Sequence, residues 1–132
     1  MTRQRILTIN GWFLVIIGFL LAVMTLLGRF TGNGILGRLH EEPLGAIGMF
    51  EGFTLAGMFG VVFIRTARKC DNLRFWNRLA CVIHLTLGMA NLVFWTDLFV
   101  AIDARIPGTI ATILHFAFAL SEGLMGLKAE KE

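Results

Sequence analysis

The stretch Arg65–Arg78, RTARKCDNLRFWNR, lies between two long apolar runs and carries Arg65, Arg68, Lys69, Arg74 and Arg78. Charge at this density is not stable in hydrocarbon, so the stretch is expected to form a loop. Loops rich in Lys and Arg stay on the cytoplasmic side of a membrane, which fixes the side this loop faces. The rest of the 132 residues can be placed from this anchor. Four apolar spans follow, at about 6–28, 44–64, 77–96 and 109–127.

Composition agrees with a membrane location. The chain is 56% hydrophobic and only 16% charged, with a mean hydropathy of +0.73, too little polar surface to cover a soluble domain. The net charge of +3 does not indicate a nucleic-acid-binding surface, because the cations sit at the ends of apolar runs and no polar face carries them. Arg3, Arg5, the five cations of the basic stretch, Lys128 and Lys131 fall on one side of the four-span plan, against Arg29, Arg38 and Arg105 on the other. Both termini are therefore expected in the cytoplasm, and the chain reads as an all-α, single-domain, four-helix antiparallel bundle of a bacterial inner membrane. The first apolar run is too long for a signal peptide and no A-x-A site follows it, so an uncleaved span is expected.

Small residues mark where helices approach. Gly11, Gly18 and Thr25 recur at intervals of seven in the first span. Gly48, Gly52, Ala56 and Gly60 recur at intervals of four in the second and are expected to form its packing face. Asn33-Gly34 is turn chemistry, and Pro43 suits the first turn of the second helix. The third span is flanked by Trp76 and Trp95, and the apolar segment Leu98–Ile102 of the following loop is expected at the membrane interface.

Ionisable groups inside spans are costly, by roughly 2.5 kcal/mol or more at the bilayer centre, and usually face a bundle interior. Here they are Glu51, His84, His115 and Glu122, with the amide Asn91. At about 1.5 Å of rise per residue, His84 and Glu122 both lie roughly 8–10 Å from the cytoplasmic end. Glu51, Asn91 and His115 fall together in the outer half, and Asn10 lies near enough to the inner layer to join it. Two polar layers are thus expected, either as a ligand or proton pathway or as hydrogen-bonded pairs that fix helix register. His40, Glu41 and Glu42 suit a solvated helix start.

A haem held by His84 and His115 is disfavoured by about 8 Å of difference in depth. A metal site built from Glu51, His115 and an outer acid has suitable ligand types but no signature spacing. No nucleophile elbow, P-loop or dinucleotide fingerprint occurs, so neither cofactor nor metal is expected. Cys70 and Cys81 read as reduced thiols without a role.

In whole-chain plan the sequence resembles the small four-helix bacterial membrane proteins called BphX-like, with DoxX-like subunits as looser relatives. Small multidrug transporters share the length and span number, but their carboxylate in the middle of the first span has no counterpart in 6–28. The BphX-like resemblance covers the full length as architecture and transfers no functional residue. The leading expectation is a homo-oligomeric binding or accessory protein for a small apolar or amphiphilic ligand, meeting Glu51, Asn91 and His115. The alternatives are a proton-coupled transporter using Glu51 and Glu122, and a membrane enzyme or redox subunit with His115 as acid or base.

Overall fold

The computed structural model describes residues 2–69 and 72–128. It is all-helical, with α1 (Arg3–Thr31), α2 (Pro43–Lys69), α3 (Leu73–Val93) and α4 (Arg105–Leu127). A 3₁₀ turn at Gly37–His40 lies before α2, and a π-helical turn at Thr96–Val100 lies before α4. Helices α1, α2 and α4 are each long and apolar enough to cross a membrane, so the chain is a membrane protein. Their outward surfaces agree: Ile16, Leu20, Val23 and Leu27 of α1 are all exposed, a stripe that water would not tolerate.

Local chemistry sets the helix ends. The Thr2 side chain accepts from the Arg5 backbone N–H at 3.2 Å, and Gly32 ends α1 in the left-handed region at φ 68°. Asn72 caps α3 by accepting from the Phe75 N–H at 3.1 Å. The basic stretch is mostly helix and not loop: α2 runs through Lys69 and α3 begins at Leu73. Arg and Lys are good helix formers, and cations in a last turn complement the helix dipole, so charge alone did not end α2. Cys70 lies outside the described residues. Cys81 is a free, half-buried thiol.

The helices form two close antiparallel pairs. In the α1–α2 pair the backbones touch: a Cβ at Gly11 would stand 2.8 Å from the Gly60 carbonyl oxygen, and one at Gly18 would stand 2.6 Å from the Gly57 nitrogen. Gly11, Gly18 and Thr25 are all buried, because a step of seven residues drifts only about 20° around a helix. The expected face of α2 needs correction. Gly60 packs against α1 and Ala56 is half-buried, but positions Gly48 and Gly52 open onto empty space, and Gly57 takes their place in the contact. A step of four drifts about 40°, so three steps turn Gly48 about 120° away from Gly60.

In the α3–α4 pair, Gly88 meets Phe116, Gly123 meets Cys81 and Gly126 meets Arg78. The pairs join at the end bearing the termini, where Leu7, Leu14, Phe63, Ala67 and Ala80 form a core with Trp76 against it. There Arg3 donates to the carbonyl oxygens of Met125 and Lys128, while Arg74 and Arg78 donate to that of Gly126 at 3.2 and 2.9 Å. Three guanidinium groups thus satisfy the last carbonyls of α4. At the opposite end Leu36, Leu39, Ala46, Ile102 and Ala104 pack together. Ile102 is therefore buried inside the protein and not laid in the membrane interface, because it closes the end of the bundle over Leu39.

Candidate functional site

Between the two pairs runs a chain of polar side chains. Asn10 of α1 donates through Nδ2 to Glu122 Oε1 of α4 at 3.1 Å. Its Oδ1 lies 2.8 Å from Nε2 of His84 on α3. His84 Nδ1 lies 2.9 Å from His115 Nδ1 on α4. Asn10, His84 and Glu122 have no exposed surface, and His115 is half-buried. Aromatic rings wall the chain: Phe118 stacks on the His84 imidazole with centroids 5.0 Å apart and 19° between planes, and Phe13 lies against Phe118.

The donors and acceptors form two self-consistent directions. With Glu122 ionised, its oxygens only accept, so Asn10 turns its NH2 to Glu122 and its carbonyl to His84. His84 then carries its proton on Nε2, its Nδ1 accepts from the Nδ1–H of His115, and the His115 Nε2 is left as an acceptor. With Glu122 protonated and the Asn10 amide reversed, every bond can run the other way, and His115 Nε2 becomes a donor. Glu122 Oε2 is buried and makes no hydrogen bond. His115 Nε2 likewise has no partner among the described residues.

The structure thus brings together His84, His115 and Glu122 with Asn10. It separates two other expected residues from them. Glu51 is exposed on the outward face of α2, opposite the buried Gly60 and Phe63, and Asn91 is half-buried with no side-chain hydrogen bond. The outer polar layer of Glu51, Asn91 and His115 does not form, nor does a Glu51–His115 metal site. Among the described residues no group of three or more His, Cys, Asp or Glu could hold a metal ion.

His115 joins the inner layer despite its depth. The pairing of Arg78 with Gly126 and Gly88 with Phe116 sets His115 about five residues, roughly 7.5 Å, beyond the level of His84. The expected offset in depth is present. Two imidazoles reaching toward each other bridge it, with ring centroids 5.2 Å apart.

Two residues near the chain do not stand out in the sequence. Phe118 is one more aromatic in an apolar span. Asn77 sits at a predicted span end, yet it is buried and donates to the carbonyls of Leu73 at 2.8 Å and Arg3 at 3.3 Å. An apolar groove of about 370 Å³ lies between α3 and α4, lined by Cys81, Leu85, Phe116, Leu120 and Gly123, among others. None of the residues that line it belongs to the polar chain. Comparison with protein-family models, with curated proteins and with solved structures finds no match to this chain.

Proposed function

We propose that this chain is a four-span integral membrane protein of the bacterial inner membrane, with both termini cytoplasmic, acting as a binding or accessory protein for a small amphiphile. The ligand enters the seam between the two helix pairs, and its polar head hydrogen-bonds the Nε2 of His115. The observation that carries this reading is the buried chain from Glu122 through Asn10 and His84 to that unpaired nitrogen. A polar group held ready at membrane depth, with its other nitrogen already engaged, is preorganised for one hydrogen-bonding partner. The seam suits entry, because the pairs touch each other far less than the members of each pair do.

The fourth crossing in this reading is α3, whose 21 residues span about 31 Å. Its Arg74 and Arg78 lie at the end bearing the termini, while Asn77 and His84 turn inward, which removes most of the cost of its polar content. The whole-chain resemblance to BphX-like membrane proteins is in keeping with this reading and assigns no residue. Assembly of copies is part of the proposal: Glu51 meets acyl chains in a single copy, and Gly48 and Gly52 beside it allow a second α2 to approach closely.

The test is to identify the small molecules that co-purify with wild-type protein and with His115→Leu in detergent. An amphiphile present in the first and lost from the second, at equal helical content, is the expected result. The same molecules in both would retire the reading. A second reading, proton-coupled transport, is favoured by the buried, unpartnered Oε2 of Glu122, which leaves one carboxylate oxygen for a mobile proton. Substrate-driven proton movement in vesicles that is abolished by Glu122→Gln would select it. Glu51 lies outside the chain and takes no part in that path.

A further inference from the structure

Among the cations at the end bearing the termini, which also include the exposed Arg5 and Lys128, two clusters stand out. Arg3, Arg74 and Arg78 are engaged with the carbonyl oxygens that end α4. Arg65, Arg68 and Lys69 of α2 are exposed and make no hydrogen bond or ion pair among the described residues. Every described acidic residue lies elsewhere: Glu41, Glu42, Asp97 and Asp103 belong to the opposite end, Glu51 to the upper part of α2, and Glu122 to the interior.

The position of these three cations on α2 is specific. At 100° per residue they share one arc of the helix with Met58 and Val61, and with Val62, all exposed. The packed residues Gly60, Phe63 and Ala67 occupy the opposite arc, and Gly57 lies at its edge beside Arg68. An exposed apolar track of about one and a half turns therefore ends directly on a cationic cluster that has no counter-charge among the described residues. The long stems of Arg and Lys reach from such a helix end toward the headgroup level. We propose that this face of α2 binds an anionic phospholipid, with its phosphate among Arg65, Arg68 and Lys69 and an acyl chain along Met58, Val61 and Val62. The inference rests on the four-span reading. It is compatible with assembly at Gly48 and Gly52, because helices crossing at small residues in the right-handed manner diverge away from the crossing point.

The experiment uses the full chain in neutral detergent, titrated with phosphatidylglycerol, phosphatidylcholine or inorganic phosphate and followed by native mass spectrometry. Phosphatidylglycerol is expected to stay bound where phosphatidylcholine and inorganic phosphate do not. Near a membrane surface each Lys or Arg contributes on the order of a fivefold gain in binding, so R65Q/R68Q/K69Q should weaken retention by about a hundredfold at low salt. R65K/R68K keeps the charge and should retain the lipid, whereas E41Q/E42Q at the opposite end should change nothing. Equal retention of both lipids, a triple variant that holds phosphatidylglycerol as well as wild type, or saturation by inorganic phosphate would each overturn the inference. Circular dichroism separates lost binding from lost fold. A chain that leaves membranes without detergent would sink the four-span reading itself, a result distinct from an integral protein without lipid preference.

Discussion

Asn10 accepts from one partner and donates to another across three helices, so its loss strands two groups at once. Asn10→Ala leaves His84 Nε2 and a Glu122 oxygen without partners in the protein interior. Hydrogen bonds inside membranes are worth less than their burial suggests, since the unfolded chain in lipid finds other partners. The expected loss is therefore about 1–3 kcal/mol, measured by denaturant unfolding in detergent. Glu122→Gln keeps an acceptor for Asn10 and should cost less than Asn10→Ala. Glu51→Leu, on an outward face without hydrogen bonds, should stay within about 0.5 kcal/mol of wild type. If Glu51→Leu costs as much as Asn10→Ala, the assignment of the two carboxylates is wrong. At this scale the sequence was legible where depth alone decided the outcome. Rise per residue puts His84 level with Glu122 and brings in Asn10. It does not show which way Glu51 faces, because that depends on which arc of α2 meets α1.

For the elements, the deciding quantity is angular drift. A stripe at intervals of seven stays on one face, which is why Gly11 and Gly18 could be read correctly, whereas a stripe at intervals of four wraps around its helix and has no single face. The two sets of glycines should then respond oppositely to the same change. Gly18→Leu would drive a side chain into the backbone at Phe53 and Gly57, where even a Cβ comes within 2.7 Å. The α1–α2 pair has to separate, and a loss of about 2 kcal/mol or more is expected. Gly52→Leu meets nothing within 4 Å and should leave the melting of a single copy in detergent unchanged or slightly higher, since Leu favours helix over Gly. A comparable loss at both sites would show that α2 presents a different face. The helix ends were less legible than the faces, because the basic stretch has helix-forming residues as well as charge. Among its described residues only Asn72, the cap of α3, lies outside a helix.

As a whole molecule the protein is two helix pairs fastened at both ends. At the end bearing the termini the fastening is Arg3 and the polar chain through Asn10; at the other it is the apolar cluster of Leu36, Leu39, Ala46, Ile102 and Ala104. Within the α1–α2 pair, glycine-lined helices touch backbone to backbone, whereas α3 and α4 are held by glycine–side-chain contacts together with the bonds of Arg74 and Arg78 to Gly126 and of His84 to His115. The two kinds of contact should therefore open separately, since local stability follows the contacts that each region makes. In Asn10→Ala, amide hydrogen exchange followed by mass spectrometry should quicken along the His84–Phe118–Glu122 seam, in the segments around Leu7–Leu14, Ala80–Gly88 and Phe118–Gly126. Exchange around Gly18 and Gly57 should stay slow, as should the cluster around Leu39 and Ile102. That pattern would also locate the amphiphile, because a ligand lodged at His115 should protect the first set of segments and leave the second unchanged. Uniform acceleration along all four helices would mean that the molecule opens as one unit. The seam would then be no weaker than the pairs it joins, and a ligand would have no preferred way in.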